Sequence, residues 1–163
     1  MDWIFFGLLF LHVIGAIIAF GPTYTFPFIG AAAGREPQHA NFAVRVQESI
    51  AERVILPLAL FQVITGLGLL WRLNFAPLSR LWLVVAIVLY VWALAQNLII
   101  LRPTVRRLVE ATSGPPPAPV PGAPAPSGPP PHVAALVRRA RIIGMLNVVL
   151  ITIIVFLMVT KPF

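Results

Sequence analysis

The 163-residue chain contains no cysteine. Disulfides, thiolate metal sites, iron–sulfur clusters and cysteine nucleophiles are therefore excluded. Charge is scarce as well, at 10% of residues, against about 25% in an ordinary soluble domain. The only acidic residues are Asp2, Glu36, Glu48, Glu52 and Glu110. No P-loop, GxGxxG, HExxH or serine-triad pattern occurs. No catalytic residue and no metal-ligand set is assigned. What is abundant is apolar: 59% of residues, with a mean hydropathy of +0.92. A water-soluble fold of this length needs far more polar surface to cover its core. Composition thus excludes a soluble enzyme, a disordered chain and a nucleic-acid binder, and points to the bilayer.

A helix needs roughly 20 apolar residues to cross the hydrocarbon core. Four runs without a formal charge qualify: 3–20, 54–71, 81–101 and 142–160. They are too long and continuous for strands and lack the alternation of a barrel. The expected fold is all-α, a single polytopic membrane domain forming an antiparallel four-helix bundle. The first run lacks the basic flank of a signal peptide, because Asp2 is the only charge before it. It is expected to be a retained helix.

Net charge is +7. In a soluble protein that would suggest nucleic acid; beside four spans it is an orientation signal. With the N-terminus outside, the two inner connections hold nine arginines: Arg35, Arg45, Arg53, Arg102, Arg106, Arg107, Arg138, Arg139 and Arg141. The outer side holds three basic residues, Arg72, Arg80 and Lys161. An N-out, C-out chain in a bacterial cytoplasmic membrane is expected. Trp3, Trp71 and Trp82 fall at the outer helix ends, where indoles favour the headgroup boundary. Seven of the arginines (Arg53, Arg102, Arg106, Arg107, Arg138, Arg139 and Arg141) form a cytoplasmic basic face that could meet anionic lipid.

Punctuation divides the connections. Gly21-Pro22 should kink or end the first helix and Pro27 interrupts again, but the stretch between Pro22 and Arg35 is still apolar and is expected to hug the membrane or continue as a tilted extension; Gly34-Arg35-Glu36-Pro37 signals a turn. From about Asn41 to 71 the pattern predicts one helix, amphipathic and then fully apolar, bent at Pro57. The short connection 72–80 predicts that helices two and three are antiparallel neighbours. Helix three should continue through Pro103 to about Ala111, and helix four should begin near Val133. Between them, 113–132 contains ten prolines in twenty residues. It reads as a cytoplasmic spacer prone to polyproline II.

Uncharged polar side chains within membrane helices usually face other helices. His12, Gln62, Thr65, Tyr90, Gln96, Asn97, Asn147 and Thr152 are the members here. Depth along each span places His12, Gln62, Tyr90 and Thr152 near the midplane. Asn97 and Asn147 fall in an inner layer. The pairs His12–Gln62 and Asn97–Asn147 are expected. Gly15 and Ala19 form a small-residue packing face. His12 is the only histidine in the spans: it reads first as a hydrogen-bonded packing residue, and alternatively as a ligand to haem iron, alone or with a methionine such as Met145, or to copper.

Several features form a recognisable set: His12-Val13-Ile14-Gly15 followed by Gly21-Pro22; Pro57 with Thr65-Gly66-Leu67-Gly68; Arg102-Pro103 with Arg106-Arg107; and the ending Met158-Val159-Thr160-Lys161-Pro162. On these the chain resembles the bacterial integral membrane proteins grouped as domain of unknown function 2269. Those are distantly similar to CopD-like copper-resistance proteins and HemJ-like four-helix proteins. The resemblance implies a four-helix membrane bundle with a histidine in its first helix. HemJ-like proteins are associated with porphyrinogen oxidation and haem, and their first-helix histidine corresponds to His12. They also use an intramembrane lysine, which this chain does not have.

Two functions from different classes follow. The first is a structural or accessory protein, packing as a homo-oligomer or within a larger membrane complex. The second is a haem- or porphyrin-binding redox protein using His12.

Overall fold

In hydrocarbon, every backbone N–H and C=O needs a partner inside the protein, and a helix supplies them all within one segment. The four apolar runs obey this. The computed structural model describes residues 2–114 and 128–162. Seven α-helices lie there: α1 (Trp3–Phe20), α2 (Phe26–Arg35), α3 (Ala40–Ile50), α4 (Leu56–Arg72), α5 (Leu81–Gln96), α6 (Arg102–Thr112) and α7 (Pro131–Thr160). Short 3₁₀ or π turns splice most of them into four continuous runs, each long and apolar enough to cross a membrane: Trp3–Arg35, Pro37–Arg72, Leu81–Thr112 and Pro131–Thr160. Among the described residues there is no strand. The protein is an all-α, four-helix membrane protein.

The prolines decide how the splices are made. A proline lacks the N–H for an i→i−4 bond, and its ring crowds that carbonyl. Gly21-Pro22 therefore starts a 3₁₀ turn, Gly21–Tyr24, and Pro27 opens α2 in its first turn, where no N–H is missed. The first run thus continues past both prolines to Arg35. Pro57 and Pro103 sit deeper in their runs, and each is preceded by a π-helical segment, Ala51–Ile55 and Asn97–Leu101. In both, the residue before the proline donates five residues back: Leu56 N–H to Ala51 C=O and Arg102 N–H to Asn97 C=O. The helix expected from about 41 to 71 is thus continuous, and at Pro57, where a bend is expected, it is preceded by a widened turn.

Each run exceeds the roughly 20 residues a bilayer needs. The excess lies at one end, where α2, α3, α6 and the start of α7 carry eight of the nine arginines and the π segment Ala51–Ile55 carries Arg53. Trp3, Trp71 and Trp82 mark the opposite end, and there Lys161 Nζ lies 6.0 Å from the Trp82 ring centre.

Packing is pairwise. α1 lies against α4, and α5 against α7, while α3 and α6 meet at the arginine end. α4 and α5 are not closely packed on one another, although a short connection joins them. Helices two and three, expected as antiparallel neighbours, meet through Tyr90, whose hydroxyl reaches α4. In the connection Asn74 and Phe75 take φ of 50° and 56°, and Ala76–Ser79 forms a 3₁₀ turn. Most of the proline-rich linker 113–132 lies outside the described residues.

Candidate functional site

The α1–α4 seam is built on small residues. Gly15 and Ala19 are the buried residues of α1, with Ala19 wholly inaccessible. A side-chain carbon at Gly15 would stand 3.5 Å from the Phe61 ring. Two glycines on α4 match them: Gly66 lies under His12, with 3.4 Å between a would-be Cβ and the imidazole Cε1, and Gly68 lies under Leu8. Close backbone approach lets short polar side chains reach across. Gln62 donates from Nε2 to the His12 carbonyl at 2.8 Å. The His12 imidazole is bonded through Nδ1 to Thr65 Oγ1 at 2.8 Å. Gln62 and Thr65 are buried, Thr65 to 2% exposure, whereas His12 is half-buried.

The expected His12–Gln62 pair therefore forms, but through the His12 backbone. Thr65 takes the ring. Its hydroxyl also lies 3.1 Å from Phe61 C=O, the usual back-bond of a helical threonine. With its hydroxyl donating to that carbonyl, Thr65 accepts from Nδ1–H and Nε2 keeps a lone pair; with its hydroxyl donating to Nδ1, Nδ1 is the acceptor and Nε2 carries the ring hydrogen. In both tautomers Nε2 has no partner among the described residues. It is not among atoms shut away from the surface, because no buried side-chain nitrogen or oxygen there lacks a partner. Nε2 thus keeps some accessible surface.

The second polar cluster ties α5 to its neighbours. Tyr90 donates its hydroxyl to Ala59 C=O on α4, and its ring meets Phe20 edge-on at 6.2 Å. Gln96 donates from Nε2 to Asn147 Oδ1 at 2.6 Å, with both residues buried. The expected Asn97–Asn147 pair does not form. Leu83, Ala86, Ala93 and Gln96 make the buried face of α5. Asn97 lies about 100° around the helix from Gln96 and donates to Ala93 C=O instead.

Thr152 also departs from the expected midplane layer with His12. Its hydroxyl bonds to Tyr24 at 2.9 Å, three helical turns further along the first run. This sets a limit on haem. Met145 lies two turns beyond Thr152, away from His12, so the two side chains are on the order of 20 Å apart at about 1.5 Å per residue. His12 and Met145 of one chain do not fit as two axial ligands of one iron. His12 alone fits as a single imidazole ligand: Nδ1 is fixed by a hydrogen bond and Nε2 is open, the arrangement that orients a metal-bound histidine. Among the described residues, no three of His, Asp or Glu gather as metal ligands.

Ion pairs close the two ends. At the tryptophan end Arg72 grips Asp2, which also caps α1 by accepting from Phe5 N–H. That guanidinium, aided by the cap, holds the Asp2 carboxyl below its ordinary value. At the arginine end Arg102 makes a two-pronged contact with Glu52, Nη2 to Oε2 at 2.8 Å. Arg106 stands beside both Glu52 and Glu48, at 3.3 Å and 3.9 Å. The Arg102 hydrogen bond lowers the Glu52 carboxyl and raises the Arg102 guanidinium. The expected basic face is thus divided. Arg102 and Arg106 are neutralised, while Arg53, Arg107, Arg138, Arg139 and Arg141 have no ion-pair partner among the described residues.

Gly66, Gly68 and Glu52 escaped the sequence reading. Gly66-Leu67-Gly68 is a local signal for close approach. Nothing in the sequence marks Glu52 as the partner of Arg102, since their proximity depends on how α3 crosses α6.

These features define a multi-pass helical membrane protein whose polar interior joins helix to helix. The chain belongs to the family described as predicted integral membrane protein, domain of unknown function 2269, whose model matches residues 6–162. No curated protein and no solved structure matches it.

Proposed function

We propose that the protein is a structural or accessory membrane component that packs with itself or within a larger membrane complex. The observation that carries this reading is the destination of its polar groups. Gln62, Thr65, Tyr90, Gln96 and Asn147 all bond within the chain. The uncharged segments 3–20, 54–71, 81–101 and 142–160 hold no carboxylate to serve a proton path or an acid–base reaction. The broad apolar flanks, Ile64, Val88, Trp92 and Val155 among them, are left for lipid or neighbouring helices. Extraction in a mild detergent should recover stoichiometric partner chains or a homo-oligomer. A monomer under every mild condition would overturn the reading.

The arginine end faces the cytoplasm in this proposal, with both termini outside a bacterial inner membrane. A cysteine placed within 113–132 should be shielded from impermeant reagents applied to intact cells; labelling there would reverse the orientation. A second reading, haem or porphyrin binding through His12, is favoured by the open Nε2 and by the resemblance to HemJ-like proteins. It requires a Soret band in protein made with ample haem, lost in His12→Ala. Absence of the band would end it.

A further inference from the structure

The start of the fourth span carries arginines that the ion-pair networks leave out. Arg138 and Arg139 have no carboxylate partner among the described residues, whereas Arg72, Arg102 and Arg106 each face one. Ala135, Arg138, Arg139 and Ile142 are all exposed and recur at three- and four-residue spacing, which places them on one face of α7. That face continues into Met145, Leu146 and Val149, also exposed. Asn147, Leu150 and Ile151, on the other side, are buried. Arg138 and Arg139 also line an open groove with Ala135, Ile142 and Ile143. Two guanidinium groups therefore head an apolar stripe that faces lipid.

Orientation by basic residues explains why arginines occur at this end. It does not explain why these two head the lipid-facing stripe with no acid beside them. We infer that Arg138 and Arg139 form a site for an anionic phospholipid, the phosphate held between the guanidinium groups and an acyl chain lying along Ile142 and Met145. Guanidinium matches phosphate oxygens with paired N–H donors. The aliphatic stems of the arginines cover the apolar groove while the heads reach the headgroup plane. A zwitterionic lipid offers the same phosphate, but its ammonium opposes the cationic pair. Net negative charge is therefore what the site selects.

The test is lipid retention by the purified full chain, washed in detergent with equimolar phosphatidylglycerol and phosphatidylcholine and quantified by mass spectrometry. Two surface cations support a preference for phosphatidylglycerol of up to about 30-fold. It should shrink when the wash is raised to about 1 M salt. R138Q/R139Q should reduce the preference at least several-fold, and R35Q/R107Q should leave it in place. Equal retention of both lipids by the wild-type chain would overturn the proposal, and that comparison needs no variant to fold. An unchanged preference in R138Q/R139Q would also overturn it. So would displacement of phosphatidylglycerol by millimolar inorganic phosphate, which would make this a soluble-anion site.

Discussion

At the residue scale, one hydrogen bond and one missing side chain control the α1–α4 seam. The His12 ring rests on Gly66 and is held by Thr65. A methyl group at Gly66 meets Cε1 at 3.4 Å, a gap a small ring shift can absorb, but a branched side chain cannot fit. Gly66→Val should therefore cost about 1–3 kcal/mol in detergent unfolding, and Gly66→Ala much less. The Gln96–Asn147 bond makes a second prediction. Coupling across such intramembrane bonds averages about 0.6 kcal/mol. A double-mutant cycle of Gln96→Leu with Asn147→Leu should show coupling of that order, and Asn97→Leu with Asn147→Leu should show none. The acidic residues add a pH dependence. Glu52 titrates below its ordinary value of 4.5 because Arg102 holds its charged form. The folded state thus binds fewer protons than the unfolded one near that pH. The stabilisation is present above the ordinary value and is lost as pH falls through the lowered one. Acid unfolding of Glu52→Gln should lack this component, with the Asp2–Arg72 component intact.

At the scale of the element, proline is an architectural residue. Pro57 and Pro103 each follow a π-helical segment, and an ion pair links Glu52 on one wide turn to Arg102 just past the other. A π turn inserts one residue, which rotates what precedes it by about 100°. With proline removed, the run can return to regular α-helix and Glu52 turns away from Arg102. Pro57→Ala should therefore reduce trapping by a short bis-maleimide cross-linker between cysteines placed at Glu48 and Arg106, whose long side chains meet at their tips, 3.9 Å apart, in the native protein. Unchanged trapping would show that the wide turn does not depend on the proline. The four spans were legible in the sequence because lipid permits few solutions for an uncharged run of that length. Whether the first run extends through Pro22 and Pro27 or the segment hugs the membrane was not decided there, because a proline in a first turn and one in a helix interior read alike in the text. Nor was the choice of Gln96 over Asn97 by Asn147, which depends on a rotation of one residue.

The whole molecule is two helix pairs, α1 with α4 and α5 with α7, bridged by Tyr90 in the apolar region and by Glu52, Arg102 and Arg106 at the arginine end. The charge imbalance visible in the composition resolves into a pinned group at the α3–α6 crossing and an unpaired group on the fourth span. His12 alone was legible as the singular residue of the spans; its tie to Thr65 was not, because the pairing requires Gly66 to bring the helices close. A molecule built this way, with Gln62, Thr65, Gln96 and Asn147 buried and bonded within the chain and broad apolar flanks exposed, should be one part of an assembly. The mass of the intact particle, extracted in mild detergent and measured under native conditions, reads this in one step. It should be a whole-number multiple of the chain, or the chain plus stoichiometric partners, with no chromophore mass. A monomer carrying one haem or porphyrin per chain would contradict it.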